Sequence, residues 1–210
     1  MPEPSKDDRT ATLAITDLKD YDAQPEAVQR LIAQGLALTT QKLSYKYGSS
    51  DPKNGGMDCS GTIYYLLNQV GCVDVPRDAS EMYKWVWQTS YFEAVVSSNP
   101  KSFEFDRLKP GDLLFWTGTY RIERDPPVTH VMLYLGINRL TGRRVMLGAS
   151  EGRTYDNKPR YGVSVFDFKL PNALQLPALA PTDTARFIGY GPVPGLEKLK
   201  SSSVTSPTGP

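Results

Sequence analysis

Apolar residues recur at three- and four-residue spacing in the first part of the chain. Val28, Leu31, Ile32, Gly35 and Leu38 predict a helix from Pro25, a good first-turn residue, to about Gln41, with one face on a core. A second helical pattern, Ile63, Leu66, Leu67 and Val70, follows directly on Gly56-Met57-Asp58-Cys59-Ser60-Gly61. A third helix, from Glu81 to about Trp87, follows Val75-Pro76-Arg77-Asp78-Ala79-Ser80, where Asp78 or Ser80 can cap it. Its aromatics Tyr83, Trp85 and Trp87 read as packing residues, with a substrate groove as the alternative. From Leu108 the pattern changes to short apolar runs. Residues 113–116, 131–136, 145–149, 163–166 and 185–190 predict strands, with turns at Lys109-Pro110-Gly111-Asp112 and over 138–142. Helices first and strands afterwards predict an α+β fold, N-terminal helices packed on a central antiparallel β-sheet.

The flanks carry weaker patterns. Residues 1–22 form a charged, partly ordered lead-in, of which 11–15 are expected to add an edge strand. A Pro- and Leu-rich loop around 171–181 has no clear period, and the tail over 195–210 is expected to be disordered. The remaining span, 23–194, is read as one domain.

Composition narrows the function. With 210 residues, 40% of them hydrophobic, the chain can bury one good core. A net charge of +1 with interspersed signs offers no basic field, so a nucleic-acid partner is not expected. There is no run of eighteen apolar residues, hence no expected membrane span, and the polar start 1–8 does not resemble a secretory leader. Oligomeric state is not legible.

The chemistry centres on Cys59. A thiol at a helix start meets unpaired backbone N–H groups and the positive end of the helix dipole, which favour the thiolate. Asp-Cys-Ser-Gly alone also fits a small buried cysteine behind a capping Asp58. The only histidine, His130, opens the strand-like run 130–136 and supplies a candidate base. A cysteine on a helix facing a histidine on a sheet is the papain-like arrangement: the helix activates the thiol and the sheet holds the imidazole within reach. If 59–70 is helical, at about 1.5 Å per residue it carries Cys72 roughly 16 Å from Cys59, whereas a disulfide needs about 7 Å or less. One His and two Cys cannot build an ordinary zinc site, and no metal or cofactor is expected.

Five motifs in order resemble those of the NlpC family of bacterial cell-wall cysteine endopeptidases. Tyr45-Lys-Tyr-Gly is similar to its Tyr-Arg-Tyr-Gly-Gly, and Asp58-Cys-Ser-Gly61 to its nucleophile motif. Val75-Pro-Arg77 is similar to Leu-Pro-Arg, and Leu108-Lys-Pro-Gly-Asp-Leu113 to Leu-Lys-Pro-Gly-Asp-Leu. His130-Val-Met-Leu-Tyr-Leu-Gly136 is similar to His-Val-Gly-Ile-Tyr-Ile-Gly. The resemblance spans about residues 24–190. It implies Cys59 as nucleophile, His130 as general base then acid, and Tyr45 as a hydroxyl helping to hold the oxyanion. For Tyr45 a packed ring is the competing role. It also implies Asp58 and Ser60 as substrate-binding residues, Asp58 facing a free amino end of the stem peptide while also able to cap the helix.

The implied activity is hydrolysis of an amide bond in peptidoglycan stem peptides, on the carboxyl side of γ-D-glutamate, through a thioacyl-enzyme. The implied location is the periplasm or cell exterior, assuming a removed leader. A thiol amidase or acyltransferase on the same scaffold, and a catalytically weak wall-binding homologue, are the alternatives. One position departs from the family. Where members place a polar residue to orient the imidazole, in a stretch like Val-His-Ala-Ser, this chain has Met146-Leu147-Gly148-Ala149-Ser150. A water or a nearby acceptor is expected in the space at Gly148, with Ser150 and Glu151 as candidates.

Overall fold

The computed structural model describes residues 9–170 and 185–199. In chain order its elements are β1 (Leu18–Lys19), α1 (Glu26–Thr39), β2 (Ser44–Tyr45), β3 (Gly56–Met57), α2 (Cys59–Gln69) and α3 (Ala79–Trp87). They continue with β4 (Glu93–Ala94), β5 (Leu113–Thr117), β6 (Val128–Asn138), β7 (Arg144–Tyr155), β8 (Lys158–Asp167) and β9 (Arg186–Gly191). The long strands make one antiparallel sheet in the order β4-β9-β5-β6-β7-β8, with β1 added to the far end of β6. The fold is α+β, three helices against this sheet.

The sheet separates two apolar layers. Alternation along β6 sends Val131, Leu133 and Leu135 to the helical side, where they meet Leu31 and Ile32 of α1, Ile63, Leu66 and Leu67 of α2, and Met82 and Val86 of α3. Met132 and Tyr134 point the other way, into an aromatic layer with Trp116, Phe166, Phe168, Phe187 and Tyr190. Every residue of the predicted α1 and α2 stripes is buried. Burying a large aliphatic side chain contributes about 1.5–3 kcal/mol, so these stripes fix the helices on the sheet. Among the described residues no helix is long and apolar enough to cross a membrane.

Several expectations are corrected. Residues 11–15 do not form a strand: the Ala11 N–H is taken by the Ser164 hydroxyl at 2.8 Å, which interrupts a backbone ladder, and a 3-10 turn (Ile15–Asp17) follows. The edge strand is β1 instead. α3 starts at Ala79, because Asp78 accepts the N–H groups of Ser80 and Glu81. Trp87 is 61% exposed and not a packing residue, whereas Tyr83 packs edge-on against Phe92 and Phe115. β6 begins at Val128, so His130 lies inside the strand, opposite Trp116. β7 and β8 are longer than predicted and meet in a tight hairpin with Asp156 and Asn157 at φ 50° and 60°, the left-handed pair that a two-residue hairpin turn requires. Gly195–Leu199 form one turn with Leu196 buried. The expected loop at 171–181 and most of the tail lie outside the described residues.

Candidate active site

The nucleophile loop closes on itself before the helix starts. β2 and β3 pair in parallel, Tyr45 opposite Met57, and this sets the phenol ring beside the start of α2. The Asp58 N–H donates to the Ser49 carbonyl at 3.0 Å, and the Gly48 N–H to Asp58 Oδ2 at 2.8 Å. Gly61 is required here, since a Cβ would collide with the Ser49 carbonyl. Asp58 is the N-cap of α2, accepting the Gly61 N–H at 2.5 Å. Cys59 is thereby placed in the first turn.

Both oxygens of Asp58 are also held by Arg77, at 2.8 and 3.1 Å, in a two-pronged ion pair. Arg77 donates further to Ser60 Oγ at 3.0 Å, and Ser60 donates to Asp58 at 3.3 Å. Asp58 and Ser60 therefore sit together in a buried network that already contains a guanidinium.

Cys59 lines a cavity of about 260 Å³ with Tyr45, Tyr47, Gly48, Asp58, Ser60, Arg77, Tyr120 and Thr129 among its walls. His130 lines an adjoining cavity of about 860 Å³, with Trp116, Ser150, Glu151, Arg153 and Lys169. Tyr45, Tyr47, Tyr120 and Thr129 line both, so the two form one cleft. Cys59 Sγ donates at 4.0 Å to the Thr129 carbonyl, and among the described residues no hydrogen bond joins it to His130.

The electrostatics differ from the expectation of an activated thiol. Burial pushes the Cys59 pKa up to about 11. The N–H of Val131 works against this, the Asp58 charge adds to it, and the N–H groups of Ser60 and Cys59 oppose it. The helix start thus favours the thiolate, as expected, but desolvation outweighs it. His130 is pushed well below its usual value by burial and then by the positive charge of Arg153. Thiol and imidazole both rest neutral. Tyr45 is pushed far above the usual phenol range by burial, then by the neighbouring Cys59 and Asp58 charges, so its hydroxyl remains a donor.

The space at Gly148 is not polar. Met132 fills it: a Cβ on Gly148 would lie 3.1 Å from Met132 Cγ. Met132 stands where the motif it resembles has glycine, and its side chain takes the space that a side chain at Gly148 would fill. Ser150 and Glu151 share the cavity with His130 without bonding to it, and the buried His130 Nε2 has no hydrogen-bond partner among the described residues. The imidazole is held by packing instead, its ring centroid 5.7 Å from that of Trp116 in an edge contact.

Sequence reasoning gave no role to Arg77, Met132, Tyr120 or Arg153. Arg77 and Met132 were marked by the motifs that contain them. Arg153 was hidden, because an irregularity of register between Glu151 and Arg153 turns it into the cleft. Among the described residues no group of His, Cys, Asp and Glu could hold a metal ion.

A cysteine on a helix start, set across a cleft from a histidine on an antiparallel sheet, is the architecture of thiol-dependent acyl-transfer enzymes. The NlpC/P60 family model matches residues 42–160, more than half of the chain, and the chain belongs to that family. It is similar to the murein DD-endopeptidase MepH of Escherichia coli (strain K12), 29% identical over 55% of this chain and 37% of the relative. It is also similar to the gamma-DL-glutamyl hydrolase of Bacillus subtilis (strain 168), 27% identical over 79% of this chain and 34% of that protein. The chain thus spans about a third of the length of these relatives. A solved structure from Staphylococcus aureus, described as similar to a lipoprotein of the NLP/P60 family, aligns with a TM-score of 0.49 at 22% identity, over 81% of this chain and 42% of that one.

Proposed function

We propose that this protein is a cysteine endopeptidase of the cell envelope that hydrolyses peptidoglycan stem peptides at the amide between γ-D-glutamate and the following diamino acid. The observation that carries the reading is the shared cleft, which is lined by Cys59 at the start of α2, by Tyr45 and by His130. The relatives' names support the coarser part, peptide-bond hydrolysis in peptidoglycan, one being a murein DD-endopeptidase, and the γ-glutamyl bond is suggested by the other alone, a gamma-DL-glutamyl hydrolase.

In this reading His130 removes the Cys59 proton as sulfur attacks the γ-carbonyl carbon. The Tyr45 hydroxyl and the Cys59 N–H donate to the oxyanion. The C–N bond then breaks, the imidazolium returns its proton to the leaving amine, and a thioester remains on Cys59. Water, deprotonated by His130, hydrolyses that thioester and releases the γ-glutamyl carboxylate. Asp58 and Ser60, in the floor of the smaller cavity, face the acyl portion, where Asp58 would share its charge between Arg77 and a substrate ammonium.

Mass analysis of digested peptidoglycan tests this. The expected products are fragments ending in γ-D-glutamate, absent with Cys59→Ala and unaffected by a chelator. Cleavage elsewhere, or full activity of Cys59→Ala, overturns it. A second reading, a weakly active homologue that keeps the cleft for binding, is favoured by one observation, the neutral and unbonded resting pair. Retention on peptidoglycan without new fragments would select it.

A further inference from the structure

Among the charged groups that line the cleft, Arg153 has no role in the mechanism. Arg153 stacks over the indole of Trp116, with Cζ 4.5 Å from the ring centroid, and lines the larger cavity next to His130. It is half-buried, and among the described residues it makes no hydrogen bond and no ion pair. The other charges nearby do not serve it. Lys169 is engaged by Asp167, Thr154 and Asn157, at 3.5, 3.2 and 3.4 Å. Glu151 lines the same cavity but is exposed and not within ion-pair distance of Arg153. The register irregularity at Gly152 separates the two side chains.

A half-buried guanidinium without an anion is only partly compensated by solvent, and here its charge also works against the imidazolium that catalysis needs. Stacking on Trp116 holds the plane in place while leaving its N–H fork free, the arrangement that suits a carboxylate in two-pronged fashion. The position gives the side of the scissile bond. The imidazole must hand its proton to the leaving amine, so the leaving residue lies on the His130 side, and the acyl part lies in the smaller cavity at Asp58.

We propose that Arg153 is the specificity residue for the leaving group, binding a free carboxylate on the residue whose amine is released. This rests on the endopeptidase reading above. A carboxylate bound there also counters the positive charge beside His130, so a correctly charged substrate favours the thiolate-imidazolium pair that the empty site disfavours. The substrate then supplies part of the activation that no side chain hydrogen-bonded to His130 Nε2 supplies among the described residues.

Two synthetic peptides test this, both L-alanyl-γ-D-glutamyl-diamino acid, one with the carboxylates of the diamino acid free and one with them as primary amides. Wild-type protein is expected to cut the carboxylate peptide with a kcat/KM about tenfold to a hundredfold higher, the range for a hydrogen bond to a charged group. Arg153→Gln brings that ratio close to one. Arg153→Lys, a point charge without the fork, gives an intermediate ratio. The wild-type ratio does not depend on any variant folding. Equal rates on the two peptides, or a ratio unchanged in Arg153→Gln, overturn the subsite and leave the endopeptidase reading standing. If wild type cuts neither peptide, that reading fails separately, and calorimetric titration of Cys59→Ala with both peptides decides the subsite. Tighter binding of the carboxylate peptide by about tenfold supports it, and equal affinity overturns it.

Discussion

The resting thiol makes a quantitative prediction. With a pKa near 11, Cys59 is a thiolate in about one molecule in ten thousand at pH 7, against a few per cent for a free thiol. Alkylation by iodoacetamide should therefore be slow and should rise about tenfold per pH unit from pH 7 to pH 10, without a plateau. Cys72, also buried and pushed to about 11, must be replaced by alanine so that Cys59 alone is read. Stopped alkylation followed by mass analysis gives the rate at each pH. A preformed thiolate-imidazolium pair would instead hold the rate nearly constant below pH 8, and that result would refute the argument from burial. The same shift bears on stability. The folded pKa of Cys59 lies above its unfolded value, so this contribution is full below about pH 8.5 and lost as pH rises through 11. Alkaline unfolding should thus be less steep in Cys59→Ala.

Two further predictions follow from the imidazole. The folded pKa of His130 lies below its unfolded value, so its contribution to stability is present above about pH 6.5 and lost as pH falls below that. Asp112, pushed up to about 7 by burial, titrates in the same window with the opposite sign, so the His130 share is read from the difference between proteins. From pH 7.5 to pH 5 the urea midpoint of wild type should fall relative to that of His130→Gln, and parallel changes in the two would sink the assignment. Exchanging the strand pair by Met132→Gly with Gly148→His should raise kcat by about tenfold or more by giving His130 an orienting partner. Gly148→His alone should destabilise by about 1–3 kcal/mol through crowding against Met132, and an unchanged kcat in the double variant would show that packing on Trp116 already suffices.

The helices were legible because their apolar stripes are also their buried faces: Leu31 and Ile32, or Leu66 and Leu67, cannot be exposed without losing the core. Strand positions were legible, but their ends were not. β7 runs on through Glu151 and Arg153 into polar residues, because partners on β8 rather than hydrophobicity hold it in the sheet. At the site, residue types were readable and their environment was not. A helix start is visible in sequence, but the desolvation that reverses its effect on Cys59 depends on tertiary packing, which brings β6, seventy residues away, against the thiol. The space at Gly148 was expected to be polar because strand alternation gives the facing position and not the volume that Met132 takes from across the pair.

The closed loop of the nucleophile has a consequence for motion. Tyr45, Ser49, Asp58 and Cys59 are tied to one another over a short stretch of chain, while His130 belongs to the sheet and reaches them only through packing. The cleft therefore has two halves, the thiol and phenol on one and the imidazole and Arg153 on the other, joined at the Cys59 contact with the Thr129 carbonyl and at the Val163 N–H bond to the Leu43 carbonyl. A small slide of α2 over β6 would change the sulfur-to-imidazole distance while leaving the sulfur-to-phenol distance untouched. A ligand that spans both halves is then a strut as well as a substrate, and the separation of the two reacting groups is set by what is bound between them.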